Sequence, residues 1–185
     1  MTSSLGNQLH RSESLVASSS RILLSRLLVL TTLLSLALAA SVCAADLHGR
    51  VAWIYDGDTI RVDGIGDVRL VGIDAPEKKG GYRDRDFLRL GADSPEQLRR
   101  SGRDTLHYLI RTLKGEQVRL EPEDPPRDKY GRLLAYVWLE DGSMLNRKLL
   151  RQGRVRVYRY FDFARKEEFL RIERKAIRAG CGLWD

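Results

Sequence analysis

Histidine, cysteine and long apolar runs are scarce in this 185-residue sequence. The three histidines, His10, His48 and His107, lie far apart, and no cluster of His and Cys has the spacing of a zinc site. The longest apolar run, Leu27–Ala40, is shorter than the roughly 20 residues that a membrane-spanning helix needs. No internal repeat or low-complexity linker follows residue 45. These absences argue against a zinc enzyme and against a repeat protein.

The composition and charge indicate a globular domain with an acidic partner. Hydrophobic residues make up 43% and charged residues 31% of the chain, which is the balance of a soluble protein of one domain. The formal net charge is +7 and the isoelectric point is about 9.6. Nucleic acid is the commonest partner of so basic a protein, and anionic membranes come next. A merely basic surface is the plain alternative.

The first 45 residues have the layout of a secretory signal peptide. A basic start precedes the apolar run Leu27–Ala40, and small residues, Ser41–Ala45, follow it. Cleavage after Ala44 or Ala45 fits the preference for small residues at the cleavage site. The sequence therefore predicts residues 1–45 as a signal peptide and residues 46–185 as the functional domain, in a secreted or periplasmic location. An uncleaved leader that anchors the protein in a membrane is the alternative.

Removal of this leader would change the cysteine content more than the charge. Cys43 would be lost with it and Cys181 would remain as the single thiol, so no intramolecular disulfide could form. The leader contains three arginines and one glutamate, so the remaining domain keeps a positive net charge. An exported domain of this kind must be stabilised by its hydrophobic core.

Three strands with short turns are predicted at the start of the domain. Gly49–Tyr55 is rich in Val, Trp and Ile, Thr59–Asp63 follows the hairpin dipeptide Asp56-Gly57, and Val68–Ile73 follows a second turn. Strands so closely spaced predict an antiparallel meander. The polar stretch 77–93 comes next and is predicted as a loop.

Helix signals and two further strands follow this loop. Ser94 is a candidate N-cap, Pro95 suits the first helical position, and the apolar spacing continues to Leu113. The later elements are predicted as strands Val118–Leu120 and Leu133–Leu139, a helix Met144–Arg151 capped by Ser143, and a helix capped by Asp162 that runs to Arg178.

Five strands with a helix inserted after the third predict an α+β fold, in which a five-stranded OB-fold barrel is packed by three helices. Barrels of this kind commonly bind nucleic acids, which agrees with the basic charge. A generic α+β sandwich is the alternative fold.

Two acidic segments are candidates for binding a metal ion. Asp56 and Asp58 are two residues apart, so on an extended chain both carboxylates point the same way. Asp74 and Glu77 lie where the third predicted strand ends, beside Pro76. Carboxylates from two segments form a hard-oxygen site of the kind that suits Ca²⁺. An ordinary hairpin turn and a solvated loop are the alternative interpretations of the two segments.

Two arginines are candidates for binding an anion. Arg69 lies within an apolar run, where a buried guanidinium needs an acidic or anionic partner. Arg132 ends the turn Asp128-Lys129-Tyr130-Gly131-Arg132. Each is otherwise an ordinary surface residue. Arg69 and Asp74 are five residues apart, so a straight strand would place them on opposite faces, and a bend must intervene if both serve one site.

Taken together and in order, four segments resemble the staphylococcal nuclease (thermonuclease) family. They are Asp56-Gly57-Asp58-Thr59, Val68-Arg69-Leu70, Gly72-Ile73-Asp74-Ala75-Pro76-Glu77 and Asp128-Lys129-Tyr130-Gly131-Arg132. Arg151-Gln152-Gly153 and Leu183-Trp184 also resemble the family, so the resemblance covers nearly all of residues 47–185. It implies a calcium-dependent nuclease that cleaves DNA or RNA to 3′-phosphorylated products.

The resemblance also implies a role for individual residues. Asp56, Asp74 and the backbone carbonyl of Thr59 are expected to bind Ca²⁺, with Asp58 beside the metal or bound through water. Glu77 is expected to be the general base, and Arg69 and Arg132 to hold the phosphate. The residues expected to contact the substrate are Lys129, Tyr130 and Tyr160, although Arg159 stands where the family has a tyrosine.

A second hypothesis is a protein with the same fold but without catalytic activity. The chain would then be a catalytically inactive OB-fold module that binds nucleic acid or protein at the cell envelope, or an envelope factor that holds nucleic acid without cutting it. All the expected acidic and basic positions are filled, which favours the enzyme. The partners expected for the enzyme are DNA or RNA, with no obligate protein partner and a monomeric state, and membrane contact only if the leader is retained.

Overall fold

The computed structural model describes residues 47–185, and the predicted signal peptide at residues 1–45 lies outside the described residues. Five strands form a closed barrel in the order β1-β2-β3-β6-β5. The barrel strands are β1 (Leu47–Ile54), β2 (Thr59–Val62), β3 (Gly66–Leu70), β5 (Gln117–Arg127) and β6 (Leu133–Trp138). Two short strands, β4 (Ile73–Asp74) and β7 (Arg156–Val157), form a separate antiparallel pair. Within residues 47–185, no helix is both long enough and apolar enough to cross a membrane.

The alternation of buried and exposed residues along the strands explains the barrel. In β2, Ile60 and Val62 are buried and Arg61 between them is exposed. The β1–β2 and β2–β3 pairs are antiparallel, as the predicted meander requires, and β3 joins β6 in parallel. The predicted OB-fold class is therefore confirmed. The observed β5 is longer than the predicted Val118–Leu120 because its ladder with β6 resumes at Arg127 after an irregularity.

Four α-helices and one 3₁₀ helix accompany the barrel in the described part of the chain. They are α1 (Asp84–Leu90), α2 (Pro95–Leu113), α3 (Leu145–Arg151), α4 (Lys166–Arg178) and the 3₁₀ helix Gly182–Trp184. The predicted start of α2 is confirmed, because the Ser94 hydroxyl accepts a hydrogen bond from the Gln97 amide at 3.2 Å.

Two predicted N-caps were wrong. Helix α3 begins after Met144, and the buried Ser143 hydroxyl has no hydrogen-bond partner. Helix α4 begins after Arg165, so its N-cap lies three residues later than the predicted cap Asp162, whose carboxylate instead pairs with Lys166 at 2.7 Å. In both places a capping residue type was present, but the chain does not enter the helix there.

Helix α1 was not predicted, because its segment carries little apolar periodicity. Phe87 is the one residue of its seven that is buried. This ring belongs to a second, smaller hydrophobic cluster formed with two nearby residues and three from the C-terminal end of the domain, namely Ala92, Leu98, Ala176, Leu183 and Trp184. The helix is therefore held by contacts with distant parts of the sequence, which a local pattern does not reveal.

The predicted third strand, Val68–Ile73, is divided by a bend. β3 ends at Leu70, Gly72 has a φ of +76°, and β4 begins at Ile73. Buried Asn146 stabilises the bend, because its side chain donates to the Val71 carbonyl at 2.9 Å and accepts from the Val137 amide at 3.0 Å. The bend allows Arg69 and Asp74 to reach the same region, as the sequence required.

Candidate active site

A cavity of about 440 Å³ opens between the β1–β2 turn, the β3–β4 bend and the β5–β6 turn. Most of the predicted site residues line it: Asp56, Asp58, Thr59, Arg69, Glu77, Lys129, Tyr130 and Arg132. Asp74 is fully buried and contacts two cavity-lining arginines, Arg69 and Arg83. Residues from separate segments of the sequence are thus brought to one place.

Asp58 connects the β1–β2 turn to the β3–β4 segment. Its Oδ2 accepts a hydrogen bond from the Ala75 amide at 2.7 Å, and its Oδ1 accepts one from the Thr59 hydroxyl at 3.1 Å. The same carboxylate is ion-paired with Arg69. With 6% of its surface exposed, Asp58 is a buried charge whose cost is offset by these partners.

Asp56 and the Thr59 carbonyl are engaged within the turn itself. Asp56 Oδ1 accepts from the Asp58 amide at 3.0 Å, which is a local turn bond. The Thr59 carbonyl accepts from the Tyr55 amide at 3.0 Å and the Asp56 amide at 3.5 Å. The Thr59 carbonyl is thus already a hydrogen-bond acceptor within the turn, and its expected role as a metal ligand stays a prediction. Asp58 is the turn residue whose carboxylate contacts Arg69, as that of Asp74 does.

Asp74 is surrounded by three arginines. Its Oδ1 lies 3.5 Å from Arg69 Nη2 and 2.7 Å from Arg83 Nη1, and its Oδ2 lies 2.7 Å from Arg156 Nη2. Arg156 is itself 1% exposed and also contacts Asp86 of α1 at 3.2 Å. Three guanidinium groups therefore surround this completely buried carboxylate and balance its charge.

Sequence reasoning missed Arg83 and Arg156. Arg156 lies between Val155 and Val157, and both valines are fully buried, so it repeats the signal of an arginine within an apolar run that drew attention to Arg69. No signal identified Arg83, because its segment is uniformly polar and rich in arginine.

Arg69 and Arg132 face the cavity in different environments. Burial lowers the pKa of Arg69 to about 10, although the charges of Asp74 and Asp56 favour its protonated form, so it stays cationic at neutral pH. Arg132 donates from Nε to Asp128 Oδ2 at 2.8 Å and lies 5.4 Å from the centre of the Tyr130 ring. Burial by itself raises the pKa of Asp128, but hydrogen bonds from Arg132 and Tyr130 bring the pKa below its usual value.

Glu77 also lines the cavity. Its carboxylate is 47% exposed and pairs with Arg83 at 3.0 Å. Arg83 thus connects the predicted general base to Asp74. A half-exposed carboxylate is open to water and has the chemistry of a general base.

The structure does not bring Tyr160 to the cavity lining. Its hydroxyl donates to Asp86 Oδ2 of α1 at 2.5 Å, and the side chain is 59% exposed. The neighbouring aromatic residues Tyr158 and Phe161 line the cavity instead. Their rings are 5.6 Å apart and form an aromatic wall.

The carboxylate oxygens near Arg69 are of the type that binds a hard divalent cation. Asp58 and Asp74 contact this guanidinium, and Asp56 lies close enough for its charge to raise the pKa of Arg69. Buried Asp74 Oδ2 makes no hydrogen bond, despite the ion-pair contact with Arg156, and retains capacity to accept a cation. Within residues 47–185, no three acidic, His or Cys side chains are already gathered as metal ligands, because arginines separate the carboxylates.

Comparison with known proteins agrees with the resemblance seen in the motifs. Residues 67–185 match the family model described as staphylococcal nuclease homologue. An uncharacterised protein of Methanocaldococcus jannaschii is 34% identical over 149 residues, which is 75% of this chain and 72% of that protein. The thermonuclease of Staphylococcus intermedius is 38% identical over 63% of this chain and 65% of its own length. An uncharacterised endonuclease of Escherichia coli is 35% identical over 65% of this chain and 67% of its own length.

Proposed function

The chain belongs to the staphylococcal nuclease homologue family, and we propose that it is a metal-dependent nuclease that hydrolyses phosphodiester bonds in DNA or RNA. One observation carries the proposal. The cavity collects two guanidinium groups, Arg69 and Arg132, beside the carboxylates of Asp58 and Glu77, with Asp74 buried against Arg69. Two relatives named as nucleases, from Staphylococcus intermedius and Escherichia coli, support the same reaction.

The metal in this proposal is Ca²⁺, held by the carboxylates of Asp58 and Asp74, with Asp56 adjacent to the ion. Both buried carboxylates already contact Arg69, so they lie close enough to share a partner. Oxygen ligands of this type suit Ca²⁺. When bound, the ion supplies Lewis-acid stabilisation of the phosphate and helps to position the attacking water.

Arg69 and Arg132 bind the scissile phosphate. A planar guanidinium can donate two parallel hydrogen bonds to phosphate oxygens, and two guanidiniums can stabilise the negative charge that develops on five-coordinate phosphorus. Arg69 is positioned by Asp58 and Arg132 by Asp128, so neither side chain must be ordered when substrate binds.

Glu77 accepts the proton of the attacking water. For this, its carboxylate must leave Arg83, which lies 3.0 Å away on a segment that contains Gly80 and Gly81. The water oxygen bonds to phosphorus as the bond to the 5′ oxygen breaks, and the 5′ oxygen takes up a proton from solvent. One product therefore carries a 3′ phosphate and the other a 5′ hydroxyl. Lys129 and Tyr130 lie at the cavity rim, where they contact the nucleotide, and Tyr158 and Phe161 take the place first assigned to Tyr160.

The test is a cleavage assay of the full chain on single-stranded DNA, duplex DNA and RNA, with Ca²⁺ and with chelator. We expect degradation that depends on Ca²⁺, and analysis of the product ends should reveal 3′ phosphates. Glu77→Gln and Arg132→Ala should be folded and nearly inactive. Cleavage that persists in chelator would contradict the metal requirement.

The same assay separates the nuclease from an inactive binding module. Such a module would bind nucleic acid in a salt-sensitive way and leave it intact at every Ca²⁺ concentration. Export to the periplasm or the medium is a separate proposal that depends on residues 1–45, and N-terminal sequencing of the protein recovered from cells tests it.

A further inference from the structure

Two large aromatic side chains are exposed at the end of β1, one from Trp53 in the strand and one from Tyr55, which directly follows it. Trp53 is 53% and Tyr55 37% exposed, and neither lines the cavity. Trp53 pairs with Arg61 of β2, and the side chains of Arg61 and Tyr55 both bond to Asp67, so the two rings lie over the same part of the barrel surface. The two other tryptophans of the chain are more buried, so Trp53 stands out as an exposed indole.

Basic side chains accompany these rings. Lys114 Nζ lies 4.6 Å from the centre of the Trp53 ring, and Lys78 Nζ donates to the Tyr55 carbonyl at 3.1 Å. The acid bonded to this face is Asp67, which accepts from the Tyr55 hydroxyl at 3.0 Å and from Arg61 at 2.8 Å, so its charge is balanced. The face therefore presents aromatic surface together with positive charge.

This face leads directly into the cavity. Tyr55 precedes Asp56, and Lys78 follows Glu77, so the Lys78–Tyr55 contact lies between two cavity-lining residues. On the other side of this face, Asp67 lies near Arg132. The hydrogen bond from Arg61 is the main cause of the lowered pKa of Asp67, and the charge of Arg132 is close enough to lower that pKa further. A nucleic-acid strand bound along this face can therefore continue into the cavity, where its scissile phosphate binds.

We propose that Trp53 and Tyr55, flanked by Lys114 and Lys78, form a binding strip for unpaired nucleotides of the substrate that extend beyond the cavity. Exposed aromatic faces interleaved with basic groups bind single strands, since bases stack on the rings while the cations follow the phosphates. The bases of a duplex are stacked on one another and offer no free face to these rings. The strip rests on the proposed nuclease function, because it extends that substrate site.

A binding experiment in chelator tests the strip without cleavage. A single-stranded oligonucleotide of mixed sequence is titrated into the full chain, and tryptophan fluorescence and anisotropy of a labelled strand are recorded. The strip predicts quenching of Trp53. Trp53→Ala should weaken binding about tenfold, the loss of one base–aromatic stack. Trp53→Phe should abolish most of the quenching and retain most of the affinity.

The matched control is Ile110→Ala, which shortens another exposed apolar side chain, on α2 and 40% exposed. It should bind as the unmutated chain does, and binding of a duplex should not respond to Trp53→Ala. If Trp53→Ala binds the single strand normally, or weakens duplex binding to the same extent, the strip is wrong.

A small diester, bis(4-nitrophenyl) phosphate, separates failure of the strip from failure of the function. This diester is small enough to occupy the cavity without touching the strip, so Trp53→Ala should hydrolyse it at the normal rate. The KM of Trp53→Ala for long single strands should rise. If the unmutated chain cleaves no diester but Trp53 still governs single-strand binding, the nuclease proposal fails and the strip stands.

Discussion

The carboxylate of Asp58 accepts a hydrogen bond from the backbone amide of Ala75 at 2.7 Å. This bond joins the turn after β1 to the residue that follows Asp74, although the two segments are distant in sequence. Since an amide hydrogen bond to a buried carboxylate is strong, it sets the direction in which Asp58 points. The relative position of the two proposed metal-binding carboxylates depends on it.

Asp58→Asn should weaken Ca²⁺ binding more than Asp56→Asn. The asparagine oxygen still accepts from Ala75, so the loop is preserved while a charge beside Arg69 is lost. We expect at least about a tenfold increase in the dissociation constant for Asp58→Asn, and a smaller one for Asp56→Asn, whose carboxylate mainly serves its own turn. Calorimetric titration measures both. A larger loss in Asp56→Asn would reverse the proposed roles.

Lysine should not replace either cavity arginine. Arg69→Lys and Arg132→Lys keep the charge but lose the paired donors, so kcat should fall on the order of 10²-fold. Arg103→Lys, on the exposed surface of α2, is the matched control and should be as active as the unmutated chain. Steady-state kinetics on single-stranded DNA make the comparison. Normal turnover in Arg132→Lys would show that this side chain does not grip the phosphate.

Arg83→Ala should increase affinity for the divalent cation. Its guanidinium lies 2.7 Å from Asp74 and 3.0 Å from Glu77, where its charge opposes a second cation. Removing it should tighten Ca²⁺ binding roughly tenfold, as expected for one nearby charge in a partly buried site. Arg85→Ala, two residues away and exposed, should have little effect. Weaker binding in Arg83→Ala, measured by the same titration, would mean that Arg83 instead holds Asp74 in place.

Gly57→Ala should disturb the site without removing any functional group. A Cβ at this position would lie 2.6 Å from the Ala75 Cβ and 2.9 Å from Thr105 Cγ2. Overpacking of this kind costs about 1–3 kcal/mol and would move Asp58 away from Ala75. Urea denaturation and cleavage rates should both report the loss. Adding Ala75→Gly removes one of the two clashes and should restore part of the activity. If Gly57→Ala acted only on the backbone of the turn, the second substitution would restore nothing.

The stabilising effect of Asp128 should disappear in acid. Its pKa is below the usual value in the folded chain, so its contribution is complete above the unfolded pKa of about 3.8–3.9 and is lost as the pH falls through the folded pKa. Asp128→Asn should therefore lower the free energy of unfolding by about 1 kcal/mol at pH 7. The difference between the two chains should shrink as the pH falls below about 4 and through the lowered pKa of the folded state. Urea denaturation across this range measures it, and a constant difference would exclude the charge as its cause.

Local sequence was a good guide wherever short-range chemistry decides the structure. The start of α2 follows from Ser94 and Pro95, and the β1–β2 hairpin follows from the turn between two β-rich segments. Helix α1 was missed because Phe87 packs with residues such as Leu183, almost a hundred positions away. The caps of α3 and α4 were misplaced because a serine or aspartate caps a helix only if the chain turns there.

The sequence by itself determined which residue types meet in the cavity, since the acidic residues lie at turns and strand ends, Arg69 within a β-rich segment and Arg132 at the end of a later turn. Only the tertiary structure decided that Asp58 joins the β3–β4 segment while Asp56 and the Thr59 carbonyl serve the turn, and that Arg83 and Arg156 complete the charge around Asp74. The physical reason is that the partners of a buried carboxylate are the side chains that lie near it in the folded chain, whatever their distance in sequence. Which arginine reaches it depends on the bend at Gly72 and on the packing of α1 and β7, and no spacing along the chain encodes that choice.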